Sequence, residues 1–137
     1  MEAEAMNKIP LDAYLTELDG IPGWFYPEDV RLFRRLNEWQ RRDSVTGDLL
    51  EIGAYQGKSA ILLGYFLQEG ERLVVCDLFE KTASTNPNKA EINLWYPGLT
   101  RAQFERNYLR FHNTLPRVVA CSSTRLIRVA KLSRTFR

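Results

Sequence analysis

The sequence predicts an α/β fold built on a parallel sheet, and three observations carry that expectation. The stretches DLLEIG (48–53) and RLVVCD (72–77) are short and largely apolar, as strands covered on both faces are. Between them KSAILLGYFLQ (58–68) is long and apolar enough for a buried helix, which makes a βαβ unit with a right-handed crossover. A third run, LPRVVAC (115–121), follows another helical segment and reads as a third strand. With 137 residues, one compact domain is expected.

Each element has a local reason. Leu11, Leu15 and Leu18 at helical spacing, followed by Gly20, predict a short helix within 10–20. Ile21, Pro22, Gly23 and Trp24 form a loop, and Pro27, Glu28 and Asp29 open a helix running to about residue 41. Proline suits the first helical position, and the two carboxylates suit the positive end of the dipole. Val30, Phe33, Leu36 and Trp39, with Leu32 beside them, make one apolar stripe; Arg31, Arg34, Arg35, Glu38, Arg41 and Arg42 make the solvated face. After the polar link 43–47 comes the βαβ unit. Leu78–Gly98 mixes Thr82, Ser84, Asn86, Pro87 and Asn88 with an apolar cluster at Ile92, Leu94, Trp95 and Tyr96, and reads as a long loop serving as a lid. Thr100 and Gln103 match a capping box that opens a helix to about Asn113. Ser123 or Thr124 caps a last helix through Leu132, and Thr135, Phe136 and Arg137 look like the first residues of a further strand.

Composition excludes several classes. At 45% hydrophobic and 26% charged residues the chain is neither disordered nor fibrous. Its longest apolar stretch, Ala60–Leu67, falls far short of the roughly 18–20 residues that span a bilayer, so no membrane-crossing helix is expected. The acidic opening MEAEAMNKIPL lacks the apolar core of a secretory signal, which makes the cytoplasm the default compartment. Cys76 and Cys121 lie in apolar runs without CxxC spacing and read as buried free thiols; no His, Cys or carboxylate cluster has metal-ligand spacing. The net charge of +2 hides an asymmetry: residues 101–137 hold nine basic side chains against one acidic. Such a skew marks either a nucleic-acid or partner-binding surface or a face whose acidic neighbours lie elsewhere.

The chemistry concentrates in Leu49–Glu80. Gly53 and Gly57 lie between strand and helix, where a missing Cβ permits unusual backbone angles and close approach of a ligand. The crevice beyond the carboxyl ends of a parallel sheet is where ligands bind, and Asp77, ending the next strand, is placed to accept the hydroxyls of a ribose. A phosphate-binding GxxxxGK[ST] loop does not fit, because GAYQGKS has only three residues between its glycines. A dinucleotide GxGxxG does not fit either, since Tyr55 and Lys58 occupy the later glycine positions. A third class, S-adenosylmethionine, carries a sulfonium and an ammonium that favour a carboxylate at the strand end, which Glu51 supplies.

EIGAYQGKS, with Glu51, Gly53 and Gly57, followed by VVCD ending at Asp77, resembles the first two cofactor motifs of class I S-adenosylmethionine-dependent methyltransferases. The Tyr55, Gly57, Lys58, Ser59 wording is similar to a bacterial branch that includes sugar O-methyltransferases of antibiotic biosynthesis. The resemblance spans 28–137, with 1–27 as an amino-terminal extension, and implies a Rossmann-like parallel sheet with flanking helices. It implies that Glu51 holds the methionine end of the cofactor indirectly or through water and that the backbone at Gly53, Tyr55 and Gly57 passes close to it. Ser59 would lie near the carboxylate, Asp77 at the ribose and Ser122 near the adenine. The family's sheet has seven strands, and this sequence stops where the fourth would begin. The implied fold is therefore truncated before the fourth strand, leaving the cofactor-binding half with its catalytic groups unassigned and little activity of its own. The implied partner is a small-molecule methyl acceptor, and a homo-oligomer is compatible with the sequence.

The alternative is a non-catalytic module that binds nucleic acid or a partner subunit through its Arg-rich carboxyl quarter. Single-stranded RNA binding wants aromatics among the basic residues, and Phe104, Tyr108 and Phe111 fit the apolar side of a helix instead, so nucleic acid is the weaker partner class. His112, the single histidine, stands near a helix end, where the dipole favours it; a catalytic role is the minor alternative.

Overall fold

The computed structural model describes residues 7–81, 87–126, 128 and 135–137. Strands β1 (Leu49–Ile52), β2 (Leu73–Asp77) and β3 (Arg117–Ala120) form one parallel sheet in that order, with Leu49 beside Leu73 and Cys76 beside Val119. Helix α3 (Lys58–Phe66) makes the crossover from β1 to β2, and α5 (Arg101–Leu109) precedes β3. The parallel α/β class expected from the sequence is present, and β2 shows why its run is apolar: Val74, Val75 and Cys76 are all buried, covered on both faces. Leu73 and Val75 point into the larger core with Tyr14, Phe104 and Phe111, while Val74 and Cys76 meet Val119 and Leu126 on the opposite face.

The amino-terminal segment belongs to the same core. Helix α1 (Leu11–Thr16) and the tight turn Leu18–Gly20 bury Tyr14, Leu18 and Ile21, and the Tyr14 hydroxyl donates to the Lys58 carbonyl. On the far side of β1 the chain returns: Asp48 N–H donates to the Thr135 carbonyl (2.8 Å) and Arg137 N–H to the Asp48 carbonyl (3.0 Å), so Phe136 pairs with Asp48 in parallel. Thr135–Arg137 thus bridges to the chain just before β1, on the edge that β2 does not occupy. Ligands of open parallel sheets bind beyond the carboxyl ends of the strands.

Three sequence expectations need correction. Lys89–Trp95 is a helix, α4, where a loop was expected; its own residues form helices readily, and the turn-forming residues behind the loop reading lie before it. Thr82, Ser84 and Asn86 fall outside the described residues. Helix α5 stops at Leu109, short of Asn113, because His112 turns inward to bridge Asn7. In α2 (Pro27–Arg42) only Val30 is buried; Leu32, Leu36 and Trp39 remain exposed, since among the described residues nothing covers the second half of the apolar stripe. The last helix begins as a single tight turn at Ser123–Arg125, and its expected continuation through 129–132 lies outside the described residues. Among the described residues no helix is long and apolar enough to cross a membrane.

Candidate functional site

The turn from β1 into α3 is built on left-handed backbone. Gly53 (φ 83°), Tyr55 (φ 51°) and Gly57 (φ 96°) all lie in that region. Gly57 donates to the Ala54 carbonyl (2.9 Å) and accepts from Ile61 N–H (2.9 Å), which starts the helix; a Cβ on it would sit 3.1 Å from the Phe104 ring. Gly53 faces open space, with no atom within 4 Å of where its Cβ would be. Tyr55 has no such licence, and its conformation costs roughly 1–2 kcal/mol. The compensation is a carboxylate: Tyr55 and Ala54 both donate their N–H groups to Asp77 Oδ2 (3.0 and 2.8 Å). Asp77 Oδ1 accepts Phe79 N–H (2.9 Å), so this side chain fastens the glycine turn to the end of β2. The Tyr55 hydroxyl donates to the Pro97 carbonyl at 2.5 Å, tying the turn to the segment after α4.

Beyond the carboxyl ends of the three strands lies a cleft of about 340 Å³. Of the sequence-predicted residues, Gly53, Tyr55, Asp77 and Ser122 line it. Much of the remaining wall is apolar, with Ile52, Leu78, Ile92 and Leu99, and among the described residues no lysine or arginine takes part. Glu51, Gly57 and Ser59 are not on the wall. Gly57 packs on Phe104, while Ser59 donates its hydroxyl to Glu51 Oε1. Glu51 Oε2 is buried and has no hydrogen-bond partner among the described residues. Burial pushes the Glu51 carboxyl up to about 7, against the opposing pull of the Ser59 hydroxyl and with a further rise from the charge of Asp77.

Neither a protein-family model nor a curated protein sequence matches the chain.

The chemistry available here is therefore that of the side chains in place. An apolar slot lined by a carboxylate and serine hydroxyls suits a flat ring bearing hydroxyls, and Glu51 Oε2, without a partner among the described residues, suits a cation. A polyphosphate would meet the Asp77 carboxylate and, among the described residues, no basic group on the cleft wall. Lys58 is buried but reaches towards the Gly23 carbonyl (3.4 Å), under the loop that carries Trp24. Cys76 and Cys121 are free and buried, with their sulfurs 3.8 Å apart; burial pushes the Cys76 thiol up to about 11. Among the described residues no group of three or more His, Cys, Asp or Glu side chains is arranged to hold a metal ion.

His112 sits in the core. It is buried away from the cleft wall, with Nδ1 2.8 Å from Asn7 Oδ1 and Nε2 2.8 Å from the Ile61 carbonyl, and burial holds its pKa below the usual value. The Arg-rich quarter is in part internally neutralised: Arg101 pairs with Glu105, Arg110 with Glu17, and Arg137 with Glu71. The feature missed from sequence is Trp24, whose indole stacks on the Tyr55 ring (centroids 6.2 Å apart) and meets Tyr96 edge-on (5.1 Å). Only the fold brings these three rings together; no spacing in the sequence signals it.

Proposed function

We propose that this chain is the cofactor-binding part of an S-adenosylmethionine-dependent methyltransferase with a Rossmann-like sheet, transferring methyl to a hydroxyl of a small molecule. One observation carries the reading: a buried carboxylate oxygen, Glu51 Oε2, without a partner among the described residues and beside a left-handed glycine turn. An unpaired buried acceptor costs about 1–3 kcal/mol, and more when charged, so a cation delivered to it is strongly favoured. Gly53, with no atom where its Cβ would be, leaves room for a ligand against the backbone. Asp77 Oδ1, engaged by one N–H, retains acceptor capacity for a ribose hydroxyl, and Ser122 stands across the cleft for the adenine edge. When bound, the cofactor supplies an electrophilic methyl group. The protein positions and orients it, and the apolar wall of Leu78, Ile92 and Leu99 keeps water from it.

Ultraviolet cross-linking of the full chain with methyl-labelled S-adenosylmethionine tests this directly. Label should appear in the peptide holding Tyr55 or in the one holding Ser122, and excess S-adenosylhomocysteine should compete it away while ATP does not. Equal competition by ATP, or no label, would refute the proposal.

A further inference from the structure

A second pocket, of about 470 Å³, shares Ile92 and Tyr96 with the cleft. Its other lining residues are Trp24, Trp95, Asn88 and Glu91. Trp24 is held from behind by Tyr55 and Tyr96, which fixes the indole while leaving it 54% exposed. Trp95 is 55% exposed at the end of α4. Among the described residues Glu91 is the pocket's one charged residue, and no basic side chain lines it. Aromatic faces carry negative quadrupole potential, so indoles and carboxylate favour the same sign of ligand charge. An anion is repelled there, and a neutral ring stacks without using the charge.

We infer that this pocket binds a ring-bearing organic cation, an amine with a planar or hydrophobic body. Resting on the methyltransferase reading, that cation is the methyl acceptor, with the wall shared through Ile92 and Tyr96 joining acceptor site to cofactor cleft.

The three tryptophans give a direct readout, because Trp39 lies on α2 and lines neither pocket. In ¹⁵N-labelled full chain the indole N–H signals are followed during titration with benzylammonium, benzyl alcohol and benzoate, which share one ring and differ in charge. The signals of Trp24 and Trp95 should move and that of Trp39 should not. Benzylammonium should bind about five-fold tighter than benzyl alcohol, with benzoate weakest. Glu91→Gln should narrow the gap between the first two to about two-fold, and Trp95→Ala should weaken all three probes. Equal affinities for the three probes, or unmoved Trp24 and Trp95 signals, would overturn the inference. S-adenosylhomocysteine is titrated in the same samples, read at the Gly53 and Gly57 amides. If those amides respond while the charge series is flat, the pocket inference alone fails. If they do not respond while benzylammonium is still preferred, the acceptor assignment fails with the methyltransferase reading.

Discussion

The two ends of the sheet treat their polar side chains in opposite ways. At the amino ends the buried polar side chains among the described residues are matched. The Arg137 guanidinium, 1% exposed, donates to Glu71 (2.8 and 2.9 Å), Asn37 (3.0 Å), Gln40 (2.8 Å) and the Phe66 carbonyl (2.8 Å), which engages all five of its N–H groups. Asp48 accepts the Arg72 N–H (2.8 Å), and both ring nitrogens of His112 have partners. At the carboxyl ends a buried carboxylate oxygen has no partner, a left-handed glycine faces open space, and two indoles lie exposed. One end holds the fold together, whereas the other, in the function proposed above, keeps binding capacity at a cost in stability. Disturbing each end in turn separates the two roles.

The largest effect belongs to the amino end. Glu71→Ala leaves the Arg137 charge buried without its partner and should destabilise the chain by about 3–5 kcal/mol, read as a lower urea midpoint. Cofactor affinity of the protein that remains folded should not change. Burial alone would raise the Glu71 carboxyl, but Arg137 and the N–H groups of Gln68 and Gly47 together hold it below its usual range. A depressed folded-state pKa contributes stability above the unfolded value and loses it as pH falls through the folded one. Urea midpoints should therefore fall more steeply for wild type than for Glu71→Ala below about pH 5.

At the carboxyl end stability and binding should move together. Asp77→Ala releases three N–H groups and the strained Tyr55, and is expected to cost about 2–3 kcal/mol by chemical denaturation while abolishing the thermal shift given by S-adenosylhomocysteine. The two glycines sharpen the contrast. Gly57→Ala meets Phe104 as well as an unfavourable φ and should cost about 2–3 kcal/mol, whereas Gly53→Ala meets only the φ and should cost about 1–2 kcal/mol. Gly53→Ala nonetheless should impair binding more per folded molecule, because its methyl group enters the cleft; calorimetric titration of both variants checks the order.

The smallest effect has the reverse sign. The Glu51 carboxyl is raised to about 7 in the folded state, so the unfolded chain binds fewer protons between about pH 4.5 and 7 and stability falls as pH rises through that window. Glu51→Gln should remove that slope and leave the chain more stable than wild type at pH 8, while weakening cofactor binding about ten-fold. Denaturation at pH 5 and pH 8 measures the first, and titration calorimetry the second.

Local patterns account for what was legible in the sequence. The strands around Leu49 and Val75, the glycine turn and the pairing tendency of Thr135–Arg137 follow from apolar runs and turn residues that act within a few positions. Asp77 was legible as a strand-end carboxylate, but its grip on Ala54 and Tyr55 depends on a left-handed tyrosine that no residue preference predicts. The Arg137 clasp joins groups from α2, the turn before β2 and the last residue, and such a network has no linear signature. The exposed half of α2 was illegible for a related reason: a periodic apolar stripe says which face can be covered, not whether anything covers it.

The most direct test of the division between the two ends is a thermal unfolding scan of the full chain with excess S-adenosylhomocysteine, excess ATP or neither. A ligand that binds only the folded state raises the midpoint by mass action. The expected result is one cooperative transition, raised by S-adenosylhomocysteine, unmoved by ATP, and no longer raised in Asp77→Ala. A cooperative transition that the adenosyl ligand leaves in place would contradict a cofactor site at the carboxyl end of the sheet.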